Sequence, residues 1–280
     1  MKSGVRPRFF FAWGLTPILL LTACAPLAPL PGGEFAFGVL GDTPYSQAEA
    51  RKLDALIGRI NEDRLAFVVH VGDIGTSARD QGCSDAWLEA RKRQFARIRH
   101  PFILIPGDNE WSDCAHHGMD PLERLRQWRR LFCDERFERQ AGEYCEHRRW
   151  ETGGYVFVTL NVPGSNNNVS HPEHAARMRA VAAWLDESAA LAEKRAGLVV
   201  LLHADPFVLN GGGYADLRAR LAVLAQRRPG QVILVNGDTH VQRDDEPLPG
   251  MRRLEVWGSP FVAWLRASAA AGGLRVEGGW

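Results

Sequence analysis

Apolar residues recur along the chain in short β-prone runs, each closed by a polar loop. The first three runs cover residues 35–40, 66–71 and 102–105. Runs of this length bounded by turn residues read as buried strands. Between the first two, Ala48, Leu53, Leu56, Ile57 and Ile60 share one helical face and predict a helix over residues 46–61. Helical spacing returns near residues 84–98, and Asp120 followed by Pro121 marks another helix start. Further on, residues 154–161, 198–202 and 231–235 read as strands. Residues 172–193 and 214–227 read as helices, and residues 252–280 as two or three β segments. This alternation argues for an α/β layered domain around a central sheet.

The polar residues fall where the runs end. Asp42, Asp73, Asp108 and His203 each follow an apolar run, and Asp238 and His240 follow another. In open α/β sheets, ligands bind outside the carboxyl ends of the strands, where loops bring distant residues together. Carboxylates and imidazoles are ligands for Mn, Fe, Zn or Mg. A single Gly-Asp after a strand is more often a turn or helix cap. Five such endings in one chain change that weighting. They predict a site for one or two divalent ions, and a pair about 3.5–4 Å apart can clamp a phosphate and activate a water.

These endings resemble the calcineurin-like metallophosphoesterase superfamily. Its ordered blocks are Asp-x-His, Gly-Asp, Gly-Asn-His-Asp/Glu, a lone His after a strand, and Gly-His-x-His. Here they read Gly41-Asp42-Thr43-Pro44, Gly72-Asp73, Gly107-Asp108-Asn109-Glu110, His203, and Gly237-Asp238-Thr239-His240. The resemblance implies a four-layer sandwich, two mixed β-sheets flanked by helices, with metals at the strand ends. It implies that Asp73 bridges, that Asp42 and His240 serve one metal, and that Asp108, His203 and Asp238 serve the other.

The departures shape the chemistry. Pro44 stands where the pattern has a ligand His, Asp108 where it has Asn, and Asp238 where it has His. Asn109 stands for the His that assists catalysis. His116 and His117 lie a few residues on and are candidates to take over its proton transfer, a service typically worth 10²–10⁴-fold. Four ionised Asp against two divalent ions sum to zero, which weakens the pull on a phosphate. Three outcomes follow: the site holds a higher-charge ion such as ferric iron, one Asp stays outside the shell, or only one metal binds. The oxygen-rich set favours harder ions such as Mn or Mg over Zn. The activity implied is hydrolysis of a small phosphomonoester or phosphodiester. The alternative is a degenerate fold that binds or scaffolds.

The remaining features place the chain. Hydrophobic residues at 45% and charged residues at 24% exclude a disordered chain or a coiled coil. Lys2, Arg6 and Arg8 precede an apolar stretch that ends in Leu21-Thr22-Ala23-Cys24, which resembles a bacterial lipobox. The expectation is a signal peptide over residues 1–23, lipidation of Cys24, a Pro/Gly-rich spacer over 24–33, and a domain over 34–280. The chain would then be membrane-anchored in the bacterial envelope and face the periplasm. Removing residues 1–23 leaves 31 basic and 33 acidic residues, a net charge of −2, so no nucleic-acid partner is expected. Cys83, Cys114, Cys133 and Cys145 make an even set that suits two disulfides in an oxidising compartment. Of the three possible pairings, Cys83–Cys114 and Cys133–Cys145 each close a short region and are expected. His70, inside an apolar run, is expected to be a satisfied core residue. Trp111 either walls the site or packs.

Overall fold

The structure, a computed structural model, describes Met1 and residues 35–208, 211–270 and 273–279. The signal, lipidation and spacer expectations therefore lie outside the described residues.

Two sheets form the middle of the molecule. The first takes the order β12-β11-β1-β2-β3. Its strands are β1 (Ala36–Leu40), β2 (Phe67–His70), β3 (Phe102–Leu104), β11 (Trp264–Ala270) and β12 (Gly273–Gly279). The second takes the order β4-β5-β6-β7-β8-β10-β9. These are β4 (Glu138–Arg139), β5 (Arg148–Thr152), β6 (Tyr155–Thr159), β7 (Gly197–Leu201), β8 (Val232–Asn236), β9 (Arg243–Leu248) and β10 (Met251–Glu255). Both sheets are mixed: β1–β2–β3 and β6–β7–β8–β10 run parallel, while the flanking pairs are antiparallel.

The strands alternate between two buried faces, which is why they read as continuous apolar runs. In β1, Phe37 and Val39 point inward to meet Phe157, Val199 and Val235 of the other sheet. Ala36 and Leu40 point outward to the helices α1 (Gln47–Glu62), α2 (Asp85–Phe95) and α3 (Pro121–Phe132). On the far side, Val156, Val158, Val200 and Leu234 pack under α4 (His174–Ala192) and α5 (Ala215–Arg227). Helix, sheet, sheet and helix make the four layers that the resemblance implied. Ser46, Ser84 and Asp120 cap α1, α2 and α3 through their side chains.

Strands β4, β5 and β9 escape sequence reading. In β5, Arg148 and Arg149 are buried, so the apolar alternation is broken. Arg149 is held by Glu138 across the ladder, and Arg148 donates to the Phe132 carbonyl at 2.9 Å. Strand β9 carries almost no apolar residues; Arg252 and Arg253 of β10 hold it by ion pairs to Asp244 and Asp245. The tail supplies β10, β11 and β12, the upper end of the expected number. Both expected disulfides are present, with Cα–Cα distances of 5.7 Å for Cys83–Cys114 and 5.9 Å for Cys133–Cys145. Among the described residues, no helix is long and apolar enough to cross a membrane.

Candidate metal centre

The carboxyl ends of β1, β2, β3, β7 and β8 meet at one edge of the sandwich. The loops leaving them bring Asp42, Asp73, Asp108, His203 and Asp238 together, and His240 closes the group. Asp42, Asp73, Asp238 and His240 all hold positive φ, between 51° and 78°. A non-Gly residue rarely does so, and such positions cluster at functional sites.

Glycine lets these loops close. A Cβ on Gly107 would collide with the Asp73 carboxylate and backbone nitrogen, and one on Gly164 would lie 2.5–2.6 Å from carboxylate oxygens of Asp238 and Asp108. Glu110, fully buried, accepts from the backbone N–H of Gly107 at 2.7 Å and from that of Ile74, bolting the second block to the third. His70 donates through Nε2 to the Thr43 carbonyl at 2.9 Å and accepts from the Gly72 N–H at 3.3 Å. It is the satisfied core histidine that the sequence suggested. Burial pushes its pKa down to about 3.

Two sets of ligand-type atoms lie within 4.8 Å of one another: Asp42, Asp73 and His203, and Asp108, His203 and Asp238. His203 Nε2 stands 3.0 Å from Asp108 Oδ1, 3.5 Å from Asp73 Oδ1 and 3.8 Å from Asp238 Oδ1. Its Nδ1 faces the Val71 carbonyl at 3.0 Å. His240 Nε2 lies 3.8 Å from Asp42 Oδ1, and its Nδ1 faces the Ser259 carbonyl at 2.8 Å. Each imidazole thus anchors one nitrogen on a backbone oxygen and presents the other to the carboxylates.

The electrostatics call for a cation. Burial, with the charges of Asp238 and Asp108, pushes the Asp42 carboxyl up to about 8. Burial and Asp108 push Asp238 up to about 6, and Asp73 is raised well above the carboxylate range by burial, Asp108 and Glu110. Burial works against Asp108 too, but its hydrogen bond and charge contact with His203 leave it lowered. Burial acts to lower His203, yet Asp73, Asp108 and Asp42 hold it well above the ordinary imidazole range. A proton on His203 thus balances the crowded acids in the absence of another cation. Asp42 Oδ2 is buried without a hydrogen-bond partner among the described residues. A carboxylate oxygen so placed fits a metal ion, since an unpaired buried acceptor is otherwise costly.

The catalytic candidates sit differently. Asn109 faces inward: its amide nitrogen donates to Asp73 Oδ2 at 2.7 Å and to the Gly75 carbonyl at 3.0 Å. His116 and His117 lie on the 3₁₀ turn Ser112–His117, His116 exposed and His117 half-buried. Neither imidazole forms a hydrogen bond to the acid cluster among the described residues; burial and the charge of Asp108 raise the pKa of Asp113, and nearby His116 only offsets part of that rise. Trp111 is fully buried, with the Arg177 guanidinium 5.5 Å from its ring centroid, so it packs.

Three further side chains reach the site, of which Tyr45 and Asp205 escaped the sequence reading. Tyr45 Oη donates to Asp73 Oδ2 at 2.6 Å and lies 3.2 Å from His240 Nε2. Its signal was a polar-tipped aromatic three residues after Asp42. Ser165 Oγ lies 3.0 Å from both Asp108 Oδ2 and Asp113 Oδ2, and its one hydroxyl hydrogen serves either of them. It opens a turn in which Ser165, Asn166, Asn167 and Asn168 all have φ near +50°. Asn tolerates that region, and buried Arg177 holds the turn through Asn167 Oδ1 at 2.6 Å and its carbonyl at 2.8 Å. Asp205 N–H reaches Asp238 Oδ2 at 3.4 Å, while its carboxylate takes Arg253 at 2.5 Å. Its position two residues after His203 was the available hint.

A sequence model described as calcineurin-like phosphoesterase matches residues 35–242. The chain belongs to that family. No curated protein sequence matches the chain. Among solved structures, this family member resembles a dimetal phosphatase from Danio rerio, with TM-score 0.60, 14% identity and coverage of 88% of this chain and 96% of that one. It also resembles GAP50, the anchor in the inner membrane complex of Plasmodium, with TM-score 0.59, 11% identity and coverage of 88% and 84%. A purple acid phosphatase from yellow lupin (Lupinus luteus) seeds follows at TM-score 0.52 and 12% identity, covering 88% of this phosphoesterase-family chain and 51% of its own. At these identities the likeness is one of fold.

Proposed function

We propose that this family member is a metal-dependent hydrolase of a small phosphomonoester or phosphodiester, lipid-anchored through Cys24 and facing the periplasm. One observation carries the reading: six ligand-type side chains, Asp73 among them, come together from loops spread between residues 42 and 240. Asp42 and His240 would hold one ion, Asp108, His203 and Asp238 the other, and Asp73 both. Bound Mn, Fe, Zn or Mg supplies Lewis acidity toward a phosphoryl oxygen and acidifies water.

The chain's own side chains position and balance the site. Asn109 fixes Asp73 by its amide, and Ser165 fixes Asp108 by its hydroxyl. His203 Nε2 is where a proton would exchange for a metal. His116 and His117 would deliver a proton to the leaving oxygen. Two disulfides suit an oxidising compartment such as the periplasm.

A binding or scaffolding role is the second reading. It is favoured by Asn109, whose amide is engaged with Asp73 and cannot serve as a proton donor of the imidazole kind. Elemental analysis of the mature protein in detergent, paired with turnover of p-nitrophenyl phosphate and bis-p-nitrophenyl phosphate, separates the two. The hydrolase reading expects bound ions and turnover, both abolished in Asp73→Asn. Bound ions with no turnover of either ester support the scaffold, and turnover that survives Asp73→Asn refutes the metal assignment. Release of the Cys24→Ala protein from the membrane fraction checks the anchor.

A further inference from the structure

We infer that Val169, Val208, Val241 and Phe261 form an apolar fringe beside the metal centre that takes up an alkyl or aryl group of the phosphoester, so that the substrate is an amphiphile. This rests on the hydrolase reading above and names the substrate class that reading leaves open.

Apolar exposure is unevenly placed on the molecule. Apart from Met1, six large apolar side chains are exposed among the described residues. Two of them, Leu191 and Val223, stand on α4 and α5 in the outer helical layer. The other four, each 42–52% exposed, lie on loops that leave strands of the second sheet: Val169 after β6, Val208 after β7, Val241 after β8 and Phe261 after β10. A single exposed valine is ordinary. Four gathered around one site mark a ligand surface.

Each of the four is tied to the centre by a short link. Val169 N–H donates to the Asn166 carbonyl at 3.2 Å, in the turn whose Ser165 Oγ lies 3.0 Å from Asp108 Oδ2. Val208 N–H donates to Asp205 Oδ1 at 3.3 Å, and Asp205 N–H reaches Asp238 Oδ2 at 3.4 Å. Asn166 Oδ1 accepts from the Gly213 N–H at 3.0 Å, which joins the loops that carry Val169 and Val208. Val241 follows His240 directly. Phe261 N–H donates to the Gly258 carbonyl at 2.9 Å, and a Cβ on Gly258 would lie 2.6 Å from the His240 ring. The Ser259 carbonyl holds that same imidazole. The backbone thus fixes all four positions and leaves their side chains to solvent.

The loops of the first sheet differ in kind. Those after β2 and β3 carry Arg79, His116 and His117, and the Arg79 guanidinium donates to the His117 carbonyl. Polar and cationic groups on one sheet's loops and apolar groups on the other's suit a molecule divided the same way, a phosphate bearing a hydrocarbon. A polyol or nucleoside would lay its hydroxyls on valine and phenylalanine side chains, which offer no hydrogen bond. Full burial of a methylene is worth about fourfold in affinity, and half-burial about twofold. A soluble alkyl or aryl phosphate and a lipid phosphate share this chemistry, and the test separates them.

The test uses the mature protein in phosphatidylcholine nanodiscs, loaded with Mn²⁺. Isothermal titration with methyl-, butyl- and hexylphosphonate reads binding without turnover. Affinity is expected to rise about twofold per methylene, so that hexylphosphonate binds about thirtyfold tighter than methylphosphonate. Phe261→Ser and Val241→Ser should each flatten that gradient, and Leu191→Ser, on α4, should keep it. Hydrolysis of hexyl phosphate in solution is compared with that of dioleoyl phosphatidic acid placed in the nanodisc. Turnover of the first alone identifies a soluble ester, and turnover of the second a membrane lipid. Equal affinity for all three phosphonates, with p-nitrophenyl phosphate still hydrolysed, would overturn the fringe and leave the hydrolase standing. A gradient that survives both serine variants would do the same. No phosphonate bound and no ester hydrolysed would overturn both readings. Should either variant fail to fold, Val208→Ser reads the same gradient.

Discussion

His203 Nδ1 lies 3.0 Å from the carbonyl oxygen of Val71, a residue 132 positions earlier in the chain. A carbonyl accepts only, so Nδ1 carries the hydrogen and Nε2 is the atom aimed at Asp73, Asp108 and Asp238. The bond also joins the loop after β7 to the loop after β2, one strand end in each sheet. His203→Ala should therefore weaken metal binding by at least the 10–100-fold typical of a lost supporting partner. Isothermal titration with Mn²⁺ checks this, and unchanged affinity would remove His203 from the centre.

Proton and metal compete for the same carboxylates. Asp42 and Asp238 have folded-state pKa values raised to about 8 and about 6 from an ordinary 3.8. A raised carboxyl favours the folded state at low pH, and that contribution is lost as pH climbs through the folded values. The chelated protein should lose thermal stability from about pH 4 to 8 relative to the metal-loaded one, and the melting-temperature gain on adding Mn²⁺ should widen over the same span. Scanning fluorimetry with and without chelator reads both. A gain that narrows with pH would contradict the site's electrostatics.

Acid acts on a second place. His147 is fully buried, with Nδ1 2.6 Å from Gln140 Oε1 and Nε2 unpartnered among the described residues. Burial lowers its pKa from 6.5 to about 4. The unfolded chain takes up this proton first, so stability is lost as pH falls below 6.5 toward 4. His147→Gln should gain on the wild type by up to about 3 kcal/mol over that window. Urea unfolding at pH 7 and pH 4.5 measures the difference, and a constant offset would exclude the proton linkage.

The Cys83–Cys114 disulfide joins the loop after β2 to the 3₁₀ turn beside Asn109, across 31 residues of chain. Loop-closure entropy puts its contribution at about 3–4 kcal/mol. A Cys83→Ala, Cys114→Ala double variant should unfold at correspondingly lower urea and lose metal affinity, because Asn109 and Asp108 lie on the freed segment. Loss of stability with metal affinity intact would separate the staple from the site.

The strands and their site-bearing ends were legible because both sheet faces are apolar and each functional Asp follows a Gly. Strand β9 was not, because its place is set by Asp244 and Asp245 pairing with Arg252 and Arg253 rather than by any hydrophobic period. The left-handed course of the turn at Ser165–Asn168 depends on Arg177, which no local pattern reveals. Tyr45 was missed for a related reason: its partner His240 stands 195 residues away, and a lone tyrosine after a proline carries no period. Sequence shows what a strand end offers; it does not show which side chains from elsewhere complete it.

The centre draws on both ends of the domain. Asp42 is held through its carbonyl by the Ser259 N–H at 2.8 Å, and its carboxylate accepts from the Asp238 N–H at 3.0 Å. A chain emerging from its N-terminus has the first three acids long before it has the residues that orient them. High-affinity loading therefore waits until the last loop has docked. The compartment where folding finishes, and the ions free in it, would then select the metal as much as the ligands do.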